Sequence, residues 1–248
     1  MCGRYAASRD KAALIEEFDV ERSAERELPA DYNVAPTKDV YVVSDRLPDS
    51  DDSLVRTLEI ARWGLVPSWA KDPAIGSRMI NARVETLTEK PAYRRAASRR
   101  RCLVPADGYY EWYRPTGPDA PVGKNGKPLK QPYYIHPADG SPLAMAGLYE
   151  FWRNPESPPD DPAAWLCTTT IITTTATDAL KRIHDRMPLV IPESRRDDWL
   201  NPELTDATKI LAGLSPLPPG WLRSDAVSTE VNNVRNNGPQ LTTPIPAE

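Results

Sequence analysis

Trp165-Leu166-Cys167-Thr168-Thr169-Thr170-Ile171-Ile172-Thr173-Thr174-Thr175 is the stretch that decides how this chain is built. Threonine and isoleucine are stiff at χ1 in a helix and pack well on a pleated surface, so this run predicts a long strand. Leu143 to Trp152, just before it, reads the same way, as do Val40 to Ser44, Leu54 to Ile60, Gly108 to Tyr113 and Tyr133 to His136. Helical spacing is confined to short pieces. One covers roughly 9 to 18, with Ser8 as its cap and Leu14, Ile15 and Phe18 on one face. Others are expected near 89 to 100, with Pro91 in the first turn, and at 177 to 184, 194 to 200 and 203 to 213. Prolines gather in the hydrophilic stretches Pro115 to Pro132 and Pro155 to Pro162, which predict surface loops because proline cannot donate to a sheet ladder. No repeat or linker composition divides the chain, so residues 1–248 are expected to form one α+β domain.

At 248 residues and 40% hydrophobic content the chain is long enough to bury a core. No stretch approaches the roughly 18 to 20 apolar residues of a membrane helix. The first twenty residues carry Arg4, Arg9, Asp10, Lys11, Glu16 and Glu17 where a signal peptide would be apolar, so neither secretion nor membrane insertion is expected. Three scattered cysteines, Cys2, Cys102 and Cys167, argue against a disulfide framework and suit a reducing cytoplasm, with nucleoid association if the source is prokaryotic. With two histidines and no CxxC pair, neither a metal nor another cofactor is expected. Without a coiled-coil pattern, a monomer is the expected state.

Formal charge is −4, which taken alone speaks against a general nucleic-acid binder. Between Arg78 and Arg101, however, eight basic residues face only Glu85 and Glu89; that local +6 leaves the remainder at −10. Such a concentration suits a phosphate-binding surface, and it equally suits a solvated helix face.

A small residue at position two allows an aminopeptidase to remove Met1, leaving Cys2 with a free α-amine beside its thiol. That amine, with a reference pKa of about 7.7 to 8.0, is nucleophilic near neutral pH, whereas a lysine amine at about 10.4 is mostly protonated. An aldehyde condenses with it to a Schiff base, and the thiol then closes onto the imine carbon as a five-membered thiazolidine. Gly3 and Arg4 follow, a flexible residue and a cation.

Several blocks occur in order along the chain: Met1-Cys2-Gly3-Arg4, Tyr32-Asn33-Val34-Ala35-Pro36, Arg62-Trp63-Gly64-Leu65-Val66-Pro67, Asn81-Ala82-Arg83-Val84-Glu85-Thr86, Pro105 to Trp112, Ala146-Gly147-Leu148-Tyr149, Ile183 to Pro188, and Val231-Asn232-Asn233. Together they resemble the SOS response-associated peptidase (SRAP) family across nearly the whole chain. The resemblance implies a β-barrel-like core of mixed, mainly antiparallel strands with short peripheral helices. It further implies a basic groove for single-stranded DNA and a thiazolidine crosslink to the ring-opened sugar of an abasic site. Self-removal of the amino-terminal residue, and lyase activity, belong to the same implication.

On that reading Glu111, placed by strand alternation with Tyr109 and Tyr113, is a proton-transfer group; a solvated outward glutamate is the alternative. His184 is a second proton carrier, with an ordinary surface histidine as the alternative. Asn81 orients the Cys2 amine or the sugar oxygen. Arg4, Arg83 and Arg186 are phosphate ligands, unless they sit in structural ion pairs. Pro36, Trp63 and Trp69 stack on bases, unless the tryptophans are core, and Thr173 and Thr174 line the same pocket. His136 is structural. Two other classes use the same features: an amino-terminal nucleophile hydrolase attacking amides with the Cys2 thiol, and a non-covalent single-strand binder in which Cys2 is incidental.

Overall fold

The computed structural model describes residues 2–47, 53–116, 122–123, 126, 128–158, 160–214 and 217–246. Met1, whose removal the sequence reading requires, and parts of both proline-rich loops lie outside the described residues. The strands are β1 (Tyr5–Ala7), β2 (Arg22–Ser23), β3 (Asp31–Val34), β4 (Asp39–Arg46), β5 (Val55–Trp63), β6 (Asn81–Arg83), β7 (Arg101–Ala106), β8 (Gly108–Tyr113), β9 (Gln131–Pro137), β10 (Leu143–Arg153), β11 (Trp165–Thr175), β12 (Arg186–Pro188) and β13 (Leu222–Ala226). The helices are α1 (Lys11–Glu17), α2 (Arg94–Arg99), α3 (Asp178–Lys181), α4 (Arg196–Leu200) and α5 (Ala207–Ala212).

The threonine-rich strand β11 pairs antiparallel with β10 from Gly147↔Ile171 to Arg153↔Trp165. From β10 the ladder runs through β7, β4 and β5. It then returns to β11 through a short parallel pairing at Thr168↔Arg62 and Thr169↔Trp63, closing a five-stranded mixed barrel. Closure removes the edges at which an open sheet would leave backbone groups unpaired. The parallel β6 and antiparallel β12 extend it along the far end of β11. A second, antiparallel sheet has the order β13-β9-β8-β1-β3.

Alternation along the strands sorts side chains into two cores. Val42, Cys102, Val104, Met145 and Ile171 meet Tyr5, Tyr109 and Ile135 from the second sheet. Val43, Leu103, Ala144, Ala146 and Ile172 meet Leu14 and Phe18 of the α1 region, Ala96 and Ala97 of α2, and Trp199 of α4. Each large apolar side chain so buried contributes about 1.5 to 3 kcal/mol. At the barrel rim Gly64 adopts φ 127°, and a Cβ there would lie 2.5 Å from the Gly76 carbonyl oxygen, so only glycine fits.

The helices are shorter than the spacing predicts. Asp10, not Ser8, caps α1 by accepting from the Ala13 N–H, while the Ser8 N–H donates to Asp107 Oδ2 at 2.6 Å. The 89 to 100 helix contracts to α2, because Thr86 to Tyr93 form successive turns and leave Pro91 ahead of the helix. The 194 to 200 piece starts as a 3-10 turn over Glu193–Arg195 before α4, and α5 begins at Ala207 under an Asp206 cap. Among the described residues no helix is long and apolar enough to cross a membrane.

Candidate active site at the start of the chain

The antiparallel pairing Tyr5↔Tyr109 sets β1 beside β8 and carries the first residues of the chain toward Glu111. Cys2 is fully buried in the core shared by the barrel and the second sheet. Its carbonyl accepts from Asn81 Nδ2 at 2.7 Å. Asn81 is delivered by β6, which is held in register on β11 by Ile171↔Asn81. The buried Asn81 Oδ1 has no hydrogen-bond partner among the described residues, so an acceptor is left aimed into the site.

Glu111 is 3% exposed, on the same face of β8 as Tyr109. Burial pushes its carboxyl above the usual carboxylate range; His184 pulls it back down and Asp185 adds to the rise. Burial also drives the Cys2 thiol far above its ordinary value, with Glu111 adding to the shift, so the sulfur holds its proton at neutral pH. His184 lies between α3 and β12. Its Nδ1 accepts from the Arg186 backbone N–H at 3.0 Å, which puts the proton of a neutral ring on Nε2. An Asp185 oxygen also lies 2.9 Å from Nδ1 and would favour a proton there; Asp185 is 85% exposed, and the chain-anchored N–H sets the orientation. The candidates Cys2, Asn81, Glu111 and His184 thus converge from four separate parts of the chain.

The proposed DNA contacts divide. Trp69 is 64% exposed beside a groove lined by Pro67, Pro91, Arg94, Arg95 and Glu150. Arg83 is exposed, and Pro36 and Thr174 are half-buried. Trp63 is a correction: it is fully buried, stacks edge-on against Tyr5 at 5.1 Å and donates from Nε1 to the Ile80 carbonyl, so it has no face for a base. Thr173 is also fully buried, its hydroxyl directed to the Ala82 carbonyl and its own carbonyl accepting from Arg186 Nη2 at 2.6 Å. Arg186 adopts the alternative of a structural ion pair: its fork grips both carboxylate oxygens of Glu85. Arg4 differs. Nη1 donates to Asn33 Oδ1 at 2.7 Å and the Val231 carbonyl at 2.8 Å, the guanidinium sits 5.9 Å from the Trp112 ring centroid, and no carboxylate among the described residues forms an ion pair with it. His136, read as structural, bonds Asp225 across β9 and β13 at 2.9 Å.

Two organising residues escaped the sequence reading. Arg101, counted with the basic segment, is 2% exposed and donates to the carbonyls of Ala97, Ser98, Trp199, Asn201 and Leu204. Asn33 is fully buried and gathers the carbonyls of Asn233 and Asn236, tying the C-terminal segment against Arg4. The only local signal for Asn33 was an amide set between Tyr32 and Val34 in an otherwise apolar stretch. An apolar cavity of about 370 Å³ lies between α1, β3 and β4, and none of the candidate residues lines it.

An α+β barrel that buries a cysteine at position two beneath a carboxylate and an amide has a place among known proteins. The family model described as SOS response associated peptidase (SRAP) matches residues 1–234, and the chain belongs to that family. The abasic site processing protein YoqW of Bacillus subtilis (strain 168) is 37% identical over 242 residues, spanning 97% of this chain and 98% of the relative. The abasic site processing protein YedK of Escherichia coli (strain K12) is 32% identical, spanning 99% of this chain and 100% of the relative. A crystal structure of a protein from Bacteroides thetaiotaomicron, at 23% identity, matches with a TM-score of 0.77 over 98% of this chain and 100% of that one, a likeness of fold.

Proposed function

We propose that this protein captures abasic sites in single-stranded DNA covalently, as a thiazolidine formed by Cys2 after Met1 is removed. The observation that carries the reading is the convergence of a buried Glu111 and an acceptor-bearing Asn81 on the first residues of the chain. The names of the relatives, all abasic site processing proteins, supply the substrate class.

The order of steps follows from the acidities. A buried thiol that holds its proton is a poor first nucleophile, whereas a free α-amine near pKa 7.7 to 8.0 is partly neutral, so the amine attacks first. Glu111, whose protonated form burial favours, donates to the sugar ring oxygen as the ring opens, takes up the C1 hydroxyl proton as the aldehyde forms, and returns it to the hydroxyl that leaves as water when the imine forms. Asn81 Oδ1 accepts from the amine and aligns its lone pair on the carbonyl carbon. His184 donates a hydrogen bond from Nε2–H to the sugar hydroxyl and orients it. The thiol then adds to the imine carbon. Arg4 and Arg83 meet the flanking phosphates, Trp69 and Pro36 stack on neighbouring bases for about 1 to 3 kcal/mol each, and Thr174 lines the path of the strand. A splayed single strand reaches such a site where an intact duplex does not.

Intact mass spectrometry with single-stranded DNA carrying one abasic site tests this directly. The expected product is the mass of protein without Met1 plus DNA less one water, with Cys2→Ala giving no adduct while still binding DNA. Retention of Met1, or turnover of small amides with no adduct, overturns the reading in favour of a hydrolase.

A further inference from the structure

Two phenols share a buried core with the Cys2 sulfur. Tyr5 and Tyr109 are Cα partners across β1 and β8, so their side chains leave the sheet on one face, into the core that contains Cys2. Both are fully buried, and neither hydroxyl has a hydrogen-bond partner among the described residues. Other buried tyrosines find one: the Tyr110 hydroxyl, on the opposite face of β8, donates to the Tyr32 carbonyl at 2.8 Å. Leaving a buried hydroxyl unpaired costs about 1 to 3 kcal/mol, and two such groups side by side call for an explanation. A negative sulfur at Cys2 acts on both phenols and raises them further, and Glu111 acts on Tyr109 as well. Glu111 is the charged side chain whose field bears on the thiol itself.

We propose that the Tyr5 and Tyr109 hydroxyls are a donor pair for the Cys2 sulfur, donating to it as it loses its proton and closes the thiazolidine ring. The inference rests on the capture reading and assigns its second covalent step. The Cys2 amine is by then a protonated imine of the sugar aldehyde. The thiol proton passes to the Glu111 carboxylate, the sulfur pair forms the C–S bond, and the C=N π pair returns to nitrogen, which keeps its proton as a secondary amine. No electrons enter or leave. Sulfur carries its greatest charge between loss of the proton and formation of the bond. A pair of buried, unsatisfied O–H donors stabilises that charge in a place from which water is excluded. In the resting protein neither hydroxyl takes the thiol as its partner, so both are unsatisfied donors that turn to the sulfur as charge develops there.

The test uses Tyr5→Phe, Tyr109→Phe and the double variant, each lacking Met1. Closure is followed by quenching the abasic-DNA reaction with borohydride, which reduces the Schiff base but not the thiazolidine. In the double variant, conversion to the borohydride-resistant product is expected to slow about tenfold or more, with the reducible imine accumulating. On DNA-free protein, alkylation of Cys2, read by peptide mass against pH, is expected to shift upward by about one pH unit. Affinity for a DNA carrying an unreactive abasic analogue stays at the wild-type value. Melting temperature stays the same or rises, because an unpaired buried hydroxyl has been removed. Wild-type closure and wild-type alkylation in the double variant overturn the donor pair. A wild-type protein that makes no adduct sinks the capture reading instead, and the alkylation profile then decides the donor pair by itself.

Discussion

Glu111 is held in the fold against its own hydration. Its pKa is raised by burial above the 4.5 of the unfolded chain, so the native state binds this proton more tightly than the unfolded state does. The carboxyl therefore favours folding fully below pH 4.5, and that contribution is lost as pH rises through the folded value. Glu111→Gln keeps the shape and removes the charge. Its melting temperature is expected to exceed wild type at pH 7.5 and to match it near pH 4, while adduct formation falls by about 10² to 10⁴. Thermal melts at the two pH values, with mass spectrometry of the adduct, check this, and a variant that melts below wild type at pH 7.5 would falsify it. In the proposed capture reaction Cys2 illustrates the complementary principle: burial that would disable a thiol acting first suits one that acts second.

Among the elements, the 3-10 segments around 229–242 have little packing of their own. Val231 and Leu241 insert into the outer face of the second sheet, and Asn33 on β3 supplies the polar attachment. The Asn33 amide also orients Arg4 through Oδ1 at 2.7 Å, so one buried side chain couples a terminal segment to a proposed phosphate ligand. Asn33→Ala leaves the carbonyls of Asn233 and Asn236 without this donor and is expected to cost about 2 to 4 kcal/mol. Limited proteolysis should show new cleavage between residues 230 and 237, together with weaker binding of single-stranded DNA. Cleavage and affinity at wild-type levels would remove Asn33 from this role.

Across the whole molecule, a net charge of −4 is compatible with a phosphate-binding face because its cations are segregated. Not all of them are available. Arg101 is buried among carbonyls with its pKa pulled down to about 10 by burial, and Arg100 is paired with Glu150 at 2.7 Å. Arg78, Arg83, Lys90, Arg94, Arg95 and Arg99 remain exposed. Replacing Arg94 and Arg95 together with alanine is expected to weaken binding of single strands and to lower the slope of log K against log salt by about 0.7 for each phosphate that is no longer neutralised. Fluorescence anisotropy over a range of salt concentrations measures it; an unchanged slope would place the strand elsewhere.

Local periodicity determined much of this protein. The β10 and β11 strands were legible because alternation and β-branching act over neighbouring residues, whereas alternation left Glu111 open between an inward and an outward face. The short strands β1, β2, β3, β6, β12 and β13 were not, since two to five residues carry too little pattern and depend on partners distant in sequence. Trp63 and Trp69 make the same point within seven residues. The sequence marks both as aromatic beside Pro67, and nothing local separates them. Barrel closure onto β11 and the Gly64 turn put Trp63 under Tyr5 and leave Trp69 outside. The same long-range closure brings Asn81 to Cys2 across 79 positions, and turns Arg101 from a surface cation into a buried strut. Residue chemistry is a property of the chain alone, whereas burial and proximity arise from contacts between its remote parts, and these decided which residues form the site.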